Sequence, residues 1–216
     1  GADEPALLPF ALACAFVALV CLRWATAMEL RWAQQEGLLD APTGLYNRDG
    51  LCRAGANVLQ GARREGRPVS LLLLDFGDLP EVRSIYGRET SRKLHAKVVR
   101  KMKAIAGARG FAARTGQSQF TILLPGVSRE RAQVLVQRQL GKPSRVEFDA
   151  GDSEIVLVPD IFCEMAAADV ETLDDLYDEM VQNLAELRTR EQRRQQYLQR
   201  ERERHSRPMS LPPSRH

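Results

Sequence analysis

The four cysteines, Cys14, Cys21, Cys52 and Cys163, have neither zinc-like nor disulfide-like spacing. That sets aside a metal knuckle and a disulfide scaffold. Two of the four lie inside an apolar N-terminal run, so the reading is a reduced domain of cytoplasmic type. No internal repeat is visible, which argues against a repeat array. An initiator methionine is absent, and the chain is read as a fragment carrying the last membrane span of a longer sensor. Charge is missing from the 18 positions between Pro5 and Leu22. That length is the short limit for a helix crossing a hydrocarbon core.

The flanks of that run set its expected orientation. Asp3 and Glu4 precede it, and Arg23 and Arg31 follow. The positive-inside rule then leaves residues 1–4 as a periplasmic end and places the larger C-terminal part in the cytoplasm. Trp24 and Trp32 suit an interfacial belt. A signal peptide fits less well, because its leading segment is positive and this one is acidic. A buried helix of a soluble protein is the alternative reading.

The 216 residues, 44% of them hydrophobic, have room for one globular domain with appendages. The net charge of +3 hides an asymmetry: from Leu187 onward nine Arg face three Glu, so the rest of the chain is slightly negative. A basic tail of this kind is a solvated terminus, or it attracts nucleic acid, anionic lipid or an acidic protein. Pro208, Pro212 and Pro213 prevent a helix over its last residues, which are expected to be disordered.

Local patterns order the middle of the chain. Residues 23–39 read as a linker helix continuing from the membrane, ended by Gly37 and Pro42. Asn47 to Arg64 reads as a helix with Leu51, Val58 and Leu59 inward, and Gly66-Arg67-Pro68 as its turn. Val69–Asp75 is a continuous apolar run, as in a central strand buried on both faces. Glu89–Ala106 is a helix with Leu94, Val98, Met102 and Ile105 at helical spacing; Arg92, Lys93, Lys97, Arg100, Lys101 and Lys103 occupy its other side. Phe111–Arg114 and Phe120–Leu124 form a hairpin, Ser128 caps a helix to Leu140, Ile155–Cys163 is a strand, and Thr172 starts the last helix. Strand, helix, strand, strand, helix, strand is an α+β, ferredoxin-like core.

Several motifs in this order resemble those of one family. Asp40-Ala41-Pro42-Thr43-Gly44-Leu45-Tyr46-Asn47-Arg48 is similar to the opening motif of a GGDEF domain. Val69–Asp75 resembles its first core strand, ending in its first metal-binding Asp. Ile85-Tyr86-Gly87 resembles the Tyr-Gly that opens its next helix, and Leu173–Leu187 its closing helix. Arg114-Thr115-Gly116-Gln117-Ser118-Gln119-Phe120 stands where the Gly-Gly-Asp/Glu-Glu-Phe turn belongs. The resemblance covers residues 38–190 and implies a diguanylate cyclase-like domain over residues 40–190, with residues 191–216 as a basic helical, then disordered, tail.

The same resemblance implies that its chemistry is lost. The family holds two Mg²⁺ between the strand-end Asp and an acidic residue of the turn. Here Asp75 remains as a vestigial ligand, while Ser118 and Gln119 occupy the Asp-Glu pair and offer no compensating charge. Gly116, Gln117, Ser118, Gln119 and Phe120 thus form a vestigial turn, in which Gln117 replaces a glycine. The family's guanine-reading Asn and Asp correspond to Arg83 and Arg92, which carry donors only. Pro80 removes a backbone N–H from the phosphate loop, and Met180 and Leu184 stand where Lys and Arg bind phosphate. The product-inhibition motif Arg-x-x-Asp reads Gly107-Ala108-Arg109-Gly110.

These readings lead to a catalytically inactive regulatory or scaffolding module at the bacterial inner membrane. It is expected to need no cofactor and to bind a protein partner or a second copy of itself. Neither nucleotide nor nucleic acid is expected to bind. Two alternatives stay open: a cyclase with a metal site relocated to Asp78 or completed by a partner, and a nucleotide or cyclic di-GMP receptor. The receptor would use Arg83, Arg88 and Arg92 as an anion-binding cluster, against a plainer reading of these residues as a solvated basic face.

Overall fold

The computed structural model describes residues 13–24, 28, 36–151, 153–166 and 172–206. It divides into two compact units, Gly1–Ala168 and Asp169–His216. The first contains, in chain order, β1 (Leu39–Asp40), β2 (Leu45–Tyr46), α1 (Arg48–Glu65), β3 (Val69–Asp75), α2 (Val82–Ala106), β4 (Phe111–Arg114), β5 (Gln119–Pro125), α3 (Arg129–Leu140), β6 (Val146–Asp149), β7 (Glu154–Leu157) and β8 (Asp160–Met165). The second holds α4 (Leu173–Ser206).

The strand β3 runs through the middle of a mixed six-stranded sheet of order β1-β2-β4-β5-β3-β8. All seven of its residues are buried, and it pairs antiparallel with β5 on one side and β8 on the other. A run without polar alternation is what such a position requires. The β4–β5 hairpin follows, and β2 joins β4 in parallel through Tyr46 and Ala113. The succession β3-α2-β4-β5-α3-β8 therefore gives the expected α+β core, with β1 and β2 added at one edge.

Leu72, Leu74, Phe120 and Ile122 on the sheet meet Leu94, Val98 and Met102 of α2 and Ala132, Val136 and Leu140 of α3 in one buried cluster. Burying each large apolar side chain contributes roughly 1.5–3 kcal/mol before the entropy of ordering is charged against it. Helix α1 packs on β4 and β5. Its start is set by Asn47, whose Oδ1 accepts from the Gly50 N–H at 2.8 Å, and its end by Gly66 in the left-handed conformation. Ser128 caps α3 by accepting from the Arg131 N–H at 3.5 Å.

Three expectations need correction. The strand expected over Ile155–Cys163 is two strands in different sheets: β7 pairs with β6, and β8 with β3. Pro159 separates them, since it has no N–H for a ladder. The short partner strand β6 had too few residues to stand out by pattern. A short helical segment, Val82–Tyr86, precedes the helix expected from Glu89, and the non-helical Gly87 (φ 84°, ψ 172°) separates the two within α2. Leu39 belongs to β1, not to the linker helix, most of which lies outside the described residues.

Among the described residues, no helix is long and apolar enough to cross a membrane. Residues 13–24 are helical, and positions 5–12 of the apolar run lie outside the described residues. Helix α4 continues without a break to Ser206, past the point where its apolar stripe ends. Its start is capped by Thr172, whose Oγ1 accepts from the Asp175 N–H at 3.1 Å. Residues 207–216, expected to be disordered, lie outside the described residues.

Gly110 joins α2 to β4 where two backbones converge. A Cβ there would stand 2.9 Å from the carbonyl oxygen of Leu123 and closer still to that of Ala106. Because both obstacles are backbone, Gly110→Ala is expected to lower stability by about 1–3 kcal/mol in a urea titration.

Candidate functional site

Asp75 ends β3 with its side chain almost wholly buried. In the sheet register it lies between Gln119 of β5 and Asp160 of β8. Both of its carboxylate oxygens accept hydrogen bonds from the β4–β5 turn. Ser118 Oγ donates to Oδ1 at 2.7 Å, and Gln119 Nε2 donates to Oδ2 at 3.0 Å. The pairing is charge-assisted on one side only, because one carboxylate faces two neutral donors.

Backbone bonds hold the turn in this position. The Phe76 N–H donates to Ser118 O at 3.0 Å, and the Thr115 N–H to Gln119 O at 3.0 Å. Phe120 meets Phe76 edge-on beneath, with ring centroids 5.9 Å apart. The Gln119 side chain lies over Gly116, where an added Cβ would come within 3.0 Å of its Oε1. A side chain at position 116 would require Gln119 to shift. Gln117, at the tip, is exposed.

Arg114 clamps the other side of the turn. Its Nε donates to Gly116 O at 3.2 Å and one terminal nitrogen to Gln117 O at 3.0 Å. Its guanidinium also lies 3.6 Å from Asp40, whose Oδ2 accepts from the Thr43 N–H at 3.1 Å. The opening motif and the altered turn are thus linked through one arginine. They border a shared cleft of about 440 Å³ with Asn47, Arg48 and Asp49 on its rim. Sequence reasoning did not single out Arg114. The signal was present in an acidic residue of the opening motif and a lone arginine beside the glycine turn, but nothing local shows that they meet.

Other anticipated residues are distributed differently. Asp78 lies exposed in the turn after β3, two residues before Pro80. Arg83 precedes the Gly87 break, whereas Arg88 and Arg92 follow it. Arg92 is engaged by Glu89, with Nε to Oε2 at 3.2 Å and a terminal nitrogen to Oε1 at 2.8 Å. That bond holds the Glu89 carboxyl below its usual range and raises Arg92 above its own. Arg83 and Arg88 have no partner among the described residues. Among those residues, no group of three or more His, Cys, Asp or Glu converges.

The donor set does not fit the two-ion Mg²⁺ site that the resemblance implies. Mg²⁺ is held by carboxylates and waters in near-octahedral geometry. Here one carboxylate is occupied by a hydroxyl and an amide N–H₂, both acting as donors.

The family model described as "Diguanylate cyclase, GGDEF domain" matches residues 38–196. The chain belongs to the GGDEF family. Solved structures share the fold at low identity. The FimX GGDEF domain of Pseudomonas aeruginosa is 23% identical, with 65% of this chain and 87% of that one covered and a TM-score of 0.56. The diguanylate cyclase SiaD of the same organism, in complex with its activator SiaC, is 19% identical, covering 82% and 66% at a TM-score of 0.58. The active GGEEF domain of a diguanylate cyclase from Vibrio cholerae is 17% identical, covering 67% and 91% at a TM-score of 0.57.

In this GGDEF domain the strand-end aspartate acts as a fastener between β3 and the turn. Asp75→Ala is therefore expected to destabilise the fold by about 1.5–3 kcal/mol, the cost of removing hydrogen bonds to a buried charged group. Chemical denaturation would measure it. Stability unchanged within error would show that the contacts to Ser118 and Gln119 hold nothing together.

Proposed function

We propose that this GGDEF domain is catalytically silent and acts as a regulatory or scaffolding module through protein–protein interaction. In this reading residues 5–22 anchor it in the bacterial inner membrane and the GGDEF domain faces the cytoplasm. The observation that carries the proposal is the capture of both Asp75 oxygens by Ser118 and Gln119. Phosphoryl transfer of this class depends on metal ions held by carboxylates to offset developing charge on the triphosphate. The one buried carboxylate among the described residues is used internally, by the two residues that stand in place of its acidic partners.

Guanine recognition is compromised on the same grounds. Arg83 and Arg92 offer donors to a base edge that also donates, and Arg92 is held by Glu89. The membrane anchor is supported by Phe16, Leu19, Leu22 and Trp24, exposed on the helix of residues 13–24. Such a surface is poorly matched to water and well matched to lipid or a paired helix. A protein partner is supported by SiaD, a diguanylate cyclase of the same fold that binds its activator SiaC. The partner of this chain is another protein or a second copy.

The 216-residue chain given GTP and Mg²⁺ is expected to form no cyclic di-GMP by mass spectrometry. The Ser118→Asp/Gln119→Glu variant is expected to form none either, because the guanine and phosphate contacts remain absent. Turnover by the wild-type chain that Asp75→Ala abolishes would establish a cyclase with a relocated metal site. Micromolar binding of GTP or cyclic di-GMP, lost in Arg88→Ala, would favour a receptor instead.

The C-terminal segment belongs to the same proposal. Glu186 and Arg190 pair across one helical turn at 3.4 Å, and Arg continues to alternate with Glu beyond them. A helix with little apolar face contributes little to folding. Deletion of residues 190–216 is expected to move the melting temperature by less than about 2 °C, while recovery of a partner from solubilised membranes falls. A large drop in melting temperature would show that the segment packs on the core.

A further inference from the structure

A second cleft, of about 340 Å³, lies between α2 and the loop joining α3 to β6. Its lining comes from parts of the chain remote in sequence from the altered turn. Lys97 and Lys101 reach it from α2, Lys142 and Arg145 from the loop, and Glu147 is the one acidic side chain among its lining residues. Four cations thus face one carboxylate.

Two of the cations are fixed in place. Lys97 Nζ donates to the Glu147 carbonyl oxygen at 2.5 Å, and Lys101 Nζ to the Gln139 carbonyl oxygen at 2.6 Å. Both side chains are half-buried. An ammonium has three donors, so each retains two for another acceptor. Lys97 and Lys101 stand one helical turn apart, a spacing at which like charges repel. Arg145 Nε pairs with Glu147 Oε1 at 2.5 Å and keeps its other donors. Lys142 has no partner among the described residues. Beneath them Leu140 and Val146 are buried, so the charges sit over an apolar floor that screens them less than water does.

We infer that this cleft binds a small anion carrying more than one phosphate group. The carbonyl contacts fix two lysines that stand one helical turn apart and repel each other, and an anion with several acceptor oxygens relieves that repulsion. Glu147 offsets only one of the four cations, so a single further carboxylate would still leave an excess of positive charge. Phosphate oxygens match both the point charge of an ammonium and the fork of a guanidinium. The preset lysines also spare the bound state the rotamer entropy of ordering long side chains. This site is separate from the vacated nucleotide pocket and does not depend on whether the domain is silent.

The test uses the isotope-labelled 216-residue chain titrated with pyrophosphate at low ionic strength, with chloride at matched ionic strength in parallel. Saturable amide shifts are expected at Gly141, Lys142 and Arg145. Affinity is expected to fall about tenfold or more in Lys142→Ala/Arg145→Ala. Both replaced side chains are exposed, so folding should be retained, and the amide spectrum verifies it. Orthophosphate binding more weakly than pyrophosphate would support the requirement for more than one phosphate group. Shifts confined to residues 83–92 or to the arginine-rich tail would overturn the inference. So would an equal response to chloride, or unchanged affinity in the double variant.

Discussion

Strand β3 has no free edge and no solvent-facing side. Seven consecutive residues, from Val69 to Asp75, are paired on both flanks and buried on both faces. The core of the six-stranded sheet is placed by reference to it. The β4–β5 hairpin is positioned through β5, β8 closes the opposite flank, and α2 and α3 cover the face presented by Leu72 and Leu74. A strand so enclosed must be apolar throughout, which is why its one charged residue comes at its end. The carboxylate of Asp75 emerges where the ladder meets the turn, and it must find donors there or carry an uncompensated burial cost.

That requirement connects fold and function. In an enzyme of this family the cost is met by metal ions, as the resemblance implies. Here Ser118 and Gln119 meet it with neutral donors at 2.7 and 3.0 Å. A buried carboxylate satisfied by the protein's own side chains stabilises the turn, and it has less to offer an incoming cation. Asp75 and the turn are thereby joined as one packed unit. Arg114 completes the arrangement from the other side by tying the turn's carbonyls to Asp40.

Charge elsewhere follows a different logic. On the exposed side of α2, Arg92 is neutralised locally by Glu89. Lys97 and Lys101, one and two turns further along, have no acidic neighbour at helical spacing and are drawn to carbonyl oxygens across the cleft. One helix thus carries a solvated ion pair and a concentrated positive site within three turns. Helical periodicity does not separate the two, because the difference lies in what the rest of the fold places opposite.

Much of this was legible in the chain itself. The continuous apolar run of β3, the helical spacing of Leu94, Val98 and Met102, and the Ser128 cap each express a local rule that survives folding unchanged. The replacement of acidic residues at positions 118 and 119 was also plain, since it is a matter of residue type. Other features could not be seen there. Pro159 splits an apolar stretch between two sheets only because β6 is available as a partner, and four residues give too short a pattern to announce it. The bonds from Ser118 and Gln119 to Asp75 span more than forty positions, and those that assemble the basic cleft nearly as many or more. Local sequence determines which segments are strands and helices, because propensity, capping and periodicity act over a few residues. Which side chains meet is decided by sheet order and helix packing, because hydrogen bonds and charges act over a few ångströms whatever their separation along the chain.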